Sequence, residues 1–370
     1  MSKPSLSIVI PVYKQPKWIG RTIADVALAV ERSAFERAEL VVVVADEETR
    51  EALAGLDPPI PLRVLPEERP GRYPARQQGI KAATGELVLL LDSRVSVAPD
   101  ALRFVSDRIK DEHDLPIWSA HIDFNLETPY GRFWSVIIPL VWWRYYSEPR
   151  TTSFGLEEYD RFSKATTCFL APRAMLLEAK REFSSYYADP RNVSDDTGLI
   201  RLLAARQRIN VSPHFSCTYA AHEGYRAFMH NVFHRGKTFV DSYGRPGDRF
   251  FPLVVAYFPT SLLAAVIAAR RPRLAAGAAA ATPVAFAAAA TALRRERADV
   301  AAVSWVGPSW LAAMCVGLWY GLWLALSARF GRGRDGGAGA KQPGPSMLDG
   351  KLTASGPARL DEPPPREVVT

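Results

Sequence analysis

The residues best suited to chemistry are carboxylates that adjoin short apolar runs, namely Asp46, Asp92, Asp195 and Asp196. Asp92 directly follows the continuous apolar run 88–91, which predicts a short strand buried on both faces. Open α/β folds bind ligands at the carboxyl edge of a parallel sheet, so a carboxylate there could hold a cation or accept a substrate proton. For Asp92, Asp195 and Asp196 the alternative is that they only cap the turn or helix that follows them.

Strands and helices alternate around these carboxylates. Apolar patterns predict strands at residues 6–12, 40–44, 62–65 and 88–91, and helices at 18–32, 49–56, 75–84 and 99–110. Such alternation implies right-handed βαβ units, so the predicted fold class is α/β, with helices flanking a mostly parallel sheet. No glycine-rich phosphate loop follows the first strand, which disfavours a dinucleotide-binding fold and a nucleotidyltransferase.

The composition of this basic chain favours a membrane, and not nucleic acid, as its partner. The 370 residues carry a formal net charge of +7, and arginine clusters at 270–273, 294–297 and 329–334 flank apolar segments. The three cysteines have no metal-like spacing and fit a reducing compartment. The first residues show no signal-peptide pattern, so we expect the N-terminal domain to face the cytosol.

Three apolar segments near the C-terminus, 251–269, 274–293 and 300–328, are long enough to cross a membrane as helices. The second is rich in alanine, and a buried core helix is its alternative. We expect an enzyme domain at 1–245, a multi-pass anchor of about three transmembrane helices at 250–328, and a disordered tail at 331–370. The apolar run 133–143 is too short to span a membrane. It could be part of the core or an element at the membrane interface.

Several short motifs follow one another in residues 6–243. They lie at 7–13, 43–46, 75–85, 91–93, 166–173, 195–199 and 233–236, with His222 before the last. In this order they resemble the family 2 glycosyltransferases of GT-A fold. The resemblance implies a GT-A-like domain that transfers a sugar, with inversion, from a nucleotide-diphosphate sugar to an acceptor hydroxyl.

The resemblance also implies roles for particular residues. Asp196, with Asp195 as the second candidate, would be the base that takes the proton of the acceptor hydroxyl. Asp46 would contact the nucleotide base, although the acid that usually precedes it in the family is Ala45 here. The other residues expected to bind the nucleotide sugar are Pro11, Tyr13, Arg76, Asp92, Arg94 and Arg235. Tyr13 could instead be an ordinary loop aromatic, and Arg76 a solvated cation.

Arg94 is the sharpest departure from the family pattern, which normally reads Asp-x-Asp where this chain has Asp92-Ser93-Arg94. An arginine repels a cation but can contact phosphate directly. Three alternatives follow: Arg94 binds the diphosphate with little metal, a cation still binds through Asp92 and His222, or the site is degraded. We expect a divalent cation, Mn²⁺ or Mg²⁺, to be used but to be less essential because of Arg94. A lone histidine such as His222 is also often structural.

These observations predict a membrane-anchored glycosyltransferase whose acceptor is a lipid-linked or cell-envelope glycan, since a soluble acceptor would not need the membrane. One rival is a catalytically silent protein that binds sugar nucleotides or serves as a scaffold, which Ala45 and Arg94 favour. A second rival is a translocase coupled to glycan synthesis. Three spans are too few to enclose a channel, and the Gln-x-x-Arg-Trp motif is absent from the sequence.

Overall fold

The computed structural model describes residues 3–111, 116–194 and 196–332. The strands in these ranges, β1 to β9, are Leu6–Val12, Ala38–Val44, Leu62–Pro66, Leu87–Leu91, Val95–Val97, Trp118–Phe124, Thr152–Phe154, Cys168–Pro172 and Ile209–Tyr219. The helices, α1 to α12, are Pro16–Glu31, Glu47–Ala54, Arg72–Ala82, Ala101–Asp111, Pro129–Val141, Trp143–Tyr146, Arg173–Glu182, Asp196–Ala204, Tyr225–Tyr243, Phe251–Arg270, Pro272–Ala292 and Arg297–Arg332.

The strands form one mixed sheet in the order β3-β2-β1-β4-β8-β6-β9-β5, with β7 also paired to β9. The first four strands of this order are parallel, whereas β8 runs antiparallel to both β4 and β6. The register places Leu91 opposite Cys168, and the Asp92 amide donates to the Thr167 carbonyl at 2.9 Å. The end of β4 and the start of β8 therefore meet at one edge of the sheet.

Helices cover both faces of the sheet, which confirms the predicted α/β, GT-A-like fold. Every residue of β4 is buried, as its continuous apolar run predicts. Helix α3 lies very close to β1, because a Cβ added to Gly79 would lie 2.3 Å from Val9 Cγ1. A glycine in this motif thus lets the helix approach the sheet.

The C-terminal part of the structure contains three helices long and apolar enough to cross a membrane: α10, α11 and residues 297–330 of α12. The run 133–143 is buried at its start and exposed toward its end, so only the core alternative is seen, and only for part of the run. Phe133 is fully buried in the core, whereas Leu140 and Trp143 are 43% and 58% exposed. The predicted tail lies, from residue 333 onward, outside the described residues.

Candidate active site

Two acidic side chains from distant parts of the sequence meet on one arginine at the edge of the sheet. Asp92 follows β4, Asp196 opens α8, and Arg76 comes from α3. Arg76 Nη2 lies 2.5 Å from Asp92 Oδ1, and Arg76 Nη1 lies 3.2 Å from Asp196 Oδ1. The arginine side chain is only 2% exposed, whereas those of Asp92 and Asp196 are 19% and 33% exposed. The guanidinium is thus an internal bridge, and the carboxylates keep access to solvent.

Two threonines just before β8 complete this group, and they were missed in the sequence reasoning. The Thr166 hydroxyl and amide both donate to Asp196 Oδ1. The Thr167 hydroxyl donates to Asp92 Oδ2 at 3.3 Å. The sequence signal for them was a pair of polar residues directly before a buried strand. The signal could not be interpreted without the register of β8 against β4, which brings the two threonines next to Asp92 and Asp196.

The surroundings of Asp196 favour its ionised form. Burial by itself raises the pKa of this carboxyl, but the Arg76 charge and the Thr166 hydroxyl outweigh burial, with help from Arg72 and Arg235. The net result is a pKa below the usual value for aspartate. Asp196 is therefore a carboxylate at neutral pH and is able to accept a proton. Asp195, the second predicted base, lies outside the described residues.

Asp46 caps helix α2, a contact that was not predicted from the sequence. Its Oδ1 accepts from the amide and hydroxyl of Thr49 in the first turn of α2, at 3.0 Å and 2.9 Å. Its Oδ2 accepts from the Lys14 amide at 2.6 Å. These bonds outweigh partial burial and lower the pKa of Asp46. They fix the turn after β1, where Tyr13 is 58% exposed and Pro11 is half-buried.

Arg94 faces the main chain of the segment before His222. Its Nε donates to the Ala220 carbonyl at 2.9 Å, and its Nη2 donates to the Ala221 carbonyl. Its Nη1 donates to Gln15 Oε1 at 3.0 Å, and the guanidinium lies 4.8 Å from the Trp18 ring centre. Only 8% of this residue is exposed. Arg94 therefore holds the loop from β9 to α9, a structural role absent from the three sequence-based alternatives.

His222 is held in its neutral form. Burial lowers its pKa, and the charges of Arg94, Arg72 and Arg235 lower it further, to about 4, against an opposing effect of Asp92. A neutral imidazole is able to bind a cation.

Asp92 and His222, the two predicted metal ligands, lie close enough to affect one another, but they do not make a complete metal site. Among the described residues, no group of three or more His, Cys, Asp or Glu side chains could hold a metal ion. One Asp92 oxygen is already paired with Arg76. These two residues fit a cation only if a ligand such as a diphosphate supplies the other oxygens.

Arg235 lies on α9 near the same group. Its guanidinium is 4.7 Å from the Trp134 ring centre, and its Nε donates to Asn231 Oδ1 at 3.2 Å. Its charge lowers the pKa of both Asp196 and His222. It is also solvent-exposed, so a positive charge borders the carboxylates on the open side.

Residues 7–176 match the family model described as Glycosyl transferase family 2, while Asp196, His222 and Arg235 lie beyond the matched region. The mannosyltransferase PcManGT from Pyrobaculum calidifontis, solved with GDP-Man and Mn²⁺, is 17% identical with a TM-score of 0.52, covering 87% of this chain and 88% of that chain.

A second solved structure is S. aureus TarS 1-349 with UDP-GlcNAc, which is 16% identical with a TM-score of 0.44, covering 88% of this chain and 92% of that chain. No curated protein matches the chain. The motifs of the resemblance, the sheet that positions them and the family match agree. Residues 7–176 are thus a domain of the glycosyl transferase family 2 type, which makes the protein a glycosyltransferase.

Proposed function

We propose that the protein transfers a sugar, with inversion, from a nucleotide-diphosphate sugar to a lipid-linked or cell-envelope glycan acceptor. The observation that carries this proposal is the pair of carboxylates bridged by Arg76, with Asp196 kept ionised at the open edge of the sheet. The solved relative PcManGT was captured with GDP-Man, which supports a nucleoside diphosphate sugar as the class of donor.

In the proposed reaction, Asp196 accepts the proton of the acceptor hydroxyl as its oxygen attacks the anomeric carbon. The bond from that carbon to the diphosphate oxygen breaks on the opposite side, and the diphosphate leaves with the electron pair. Arg235 would stabilise the leaving charge. A divalent cation, when bound, would add positive charge there, with Asp92 and His222 as its protein ligands.

The remaining predicted contacts are part of the same proposal. Tyr13 and Pro11 border the turn after β1, where the nucleotide would lie, and Asp46 shapes that turn through the Lys14 amide. Arg76 acts on the reaction by positioning Asp92 and Asp196. Arg94 acts by positioning the loop that carries His222. Three of its five N–H groups are already used in hydrogen bonds, so a diphosphate would have to bind to the other two.

The setting of the reaction is proposed to be the cytosolic face of the cell membrane, in a multi-pass protein. Three apolar helices support membrane attachment. An anchored enzyme acts most readily on an acceptor that is itself confined to the membrane. This step rests on the anchoring and not on any side chain.

A silent binding protein is the rival, and one observation favours it. Arg76 occupies an oxygen of each carboxylate, as expected of a closed ionic cluster without turnover. One assay of the full chain, purified in detergent, distinguishes a transferase from a silent binding protein. A panel of nucleoside diphosphate sugars is incubated with a membrane-lipid extract as the acceptor source, and release of the free nucleoside diphosphate is followed.

We expect one donor to release its nucleoside diphosphate, faster with the extract than without it. Chelation should lower the rate by about tenfold without abolishing it, because Arg235 and Arg76 already supply positive charge. Binding of a donor without turnover, with and without the extract, would support the silent protein instead. Complete loss in chelator with recovery in Mn²⁺ or Mg²⁺ would show that the cation is essential.

A further inference from the structure

One face of α12 lies against the enzyme domain along most of its apolar length. The residues on this face recur every three or four positions: Asp299, Val303, Val306, Trp310, Met314, Gly317 and Gly321. At one end Asp299 accepts from Arg132 of α5 at 2.9 Å. Further along, Val306 is fully buried, and the Trp310 ring lies 5.5 Å from that of Phe133. The spacing is that of a single helical stripe.

Glycines bring the other end of this stripe into contact with the backbone of α9. A Cβ added to Gly317 would lie 2.5 Å from the Phe233 carbonyl oxygen, and one added to Gly236 would lie 2.6 Å from that of Met314. At Gly321 the added Cβ would lie 2.5 Å from the Lys237 carbonyl oxygen. These carbonyl oxygens belong to the main chain and cannot move aside as a flexible side chain could. The two helices therefore pack backbone to backbone at the glycines.

Helix α9, to which α12 is fastened, belongs to the aqueous part of the protein. Its Lys237 donates to Asn192 Oδ1 at 2.7 Å, and its Asp241 accepts from the amides of Tyr186 and Ser194. It also carries Arg235, which acts on Asp196 across the site. Charged side chains that face a water-filled site are costly to place in hydrocarbon, so α9 lies outside the bilayer core.

The part of α12 that is not packed on the enzyme domain is too short to cross the membrane. The stripe from Asp299 to Gly321 measures about 33 Å at ~1.5 Å per residue, as long as the ~30 Å hydrocarbon core is thick. The part of α12 beyond Gly321 measures only about 16 Å by the same rise. A span would therefore need residues that are already packed on α5 and α9.

We propose that α12 does not cross the membrane and lies along its surface, clamped between the enzyme domain and the lipid. Its opposite face carries apolar side chains for the lipid, with Val316, Trp323 and Phe330 exposed by 60%, 56% and 72%. The candidate spans that remain are α10 and α11, which meet at Arg271. Their exposed apolar residues include Leu263 and Val284, at 60% and 67%.

The main consequence is that both ends of α12 lie on the same side of the membrane as the enzyme domain, whereas a span would separate them. The proposal requires attachment to a membrane, but it does not depend on sugar transfer, so the two can fail independently. Contacts from α12 to α10 fit this arrangement: Tyr257 donates to the Cys315 carbonyl at 2.9 Å, and Trp319 Nε1 donates to Ser261 Oγ at 3.2 Å. They place α10 beside the surface helix.

The test is to label single cysteines in the full chain with a membrane-impermeant maleimide. Arg21→Cys in the enzyme domain, and Arg297→Cys and Arg329→Cys near the two ends of α12, are each combined with Cys315→Ser, since the other native cysteines, Cys168 and Cys217, are buried. In sealed inside-out vesicles we expect labelling at 21, 297 and 329, and in intact cells at none of them. Labelling of 297 and 329 from opposite sides of the membrane would overturn the proposal.

A second measurement examines the glycine contact directly. Gly317→Ala should lower the Tm of the detergent-solubilised protein by several degrees, because its Cβ would collide with the α9 backbone. The matched control is Gly277→Ala on α11, where an added Cβ has no neighbour within 4 Å. The control should keep or slightly raise the Tm, since alanine favours helix. Equal Tm values for the two variants would mean that α12 is not fastened to α9.

Discussion

Two buried arginines near the end of β4, Arg76 and Arg94, have opposite kinds of partners. Arg76 is 2% exposed and bridges the carboxylates of Asp92 and Asp196. Arg94 is 8% exposed and donates to the main-chain carbonyls of Ala220 and Ala221. The first balances charge inside the site, and the second fixes the backbone beside it. The contrast shows that the position of an arginine in a sequence motif does not reveal whether its partners are carboxylates or main-chain carbonyls.

The largest effect should come from removing the arginine that balances charge. Arg76→Met leaves two partly buried carboxylates without their shared cation, so we expect unfolding to be easier by about 3 kcal/mol. Asp196 would also lose the main contribution that lowers its pKa, so activity at neutral pH should fall. Urea denaturation of the detergent-solubilised protein and the donor assay measure these two effects.

Arg32→Met is the matched control for that substitution. Arg32 is 46% exposed and lies 3.6 Å from Asp100, which is itself 64% exposed. An exposed pair of this kind contributes at most about 1 kcal/mol. If Arg76→Met and Arg32→Met proved equally stable and active, the bridge between the two carboxylates would have no importance for the site.

A smaller effect is expected from the arginine that fixes the backbone. Arg94→Gln removes hydrogen bonds that a charged donor makes to two carbonyls, at a cost of about 2 kcal/mol. If Arg94 only positions the loop before His222, kcat should fall by about tenfold while the KM for the donor stays unchanged. A raised donor KM with kcat preserved would instead identify Arg94 as a direct contact of the diphosphate, and the contrast with Arg76 would be lost.

The smallest effect concerns pH, through the histidine on the loop that Arg94 holds. The pKa of His222 is lowered to about 4 in the folded protein, against an ordinary value of 6.5. Between these values the unfolded chain binds a proton that the folded protein does not, so stability falls as the pH drops from 6.5 toward 4. Above pH 6.5 this group causes no change.

His222→Gln should make the urea midpoint less dependent on pH in this window. The dependence should not vanish, because burial and neighbouring charges lower the pKa of His234 to about 3, with the same sign. A variant whose midpoint varied with pH as steeply as that of the unmodified protein would show that His222 titrates normally.

Local patterns were sufficient to predict the parallel half of the sheet. The apolar runs of β1, β2 and β4 gave strands at the right places, and the strand before Asp92 is buried on both faces as predicted. The insertion of antiparallel β8 beside β4 could not be predicted in the same way, because pairing between distant strands leaves no local period. Thr166 and Thr167 were missed for that reason.

The site was less predictable than the fold. Asp92, Asp196, His222 and Arg235 were singled out through the resemblance and do lie near one another. What the sequence could not reveal was the direction of each side chain. Arg94 lies in a motif associated with phosphate, yet its partners come from the end of β9, which only the folded sheet brings near.

The most direct test of the central claim compares Asp196→Asn with Asp100→Asn in the donor assay. The asparagine is nearly isosteric and keeps a partner for Thr166, but it cannot take a proton from the acceptor. We expect Asp196→Asn to slow acceptor-dependent release of the nucleoside diphosphate by about 10²- to 10⁴-fold, with donor binding retained. Asp100→Asn, at an exposed surface pair, should match the unmodified protein. Full activity in Asp196→Asn would contradict the assignment of Asp196 as the base.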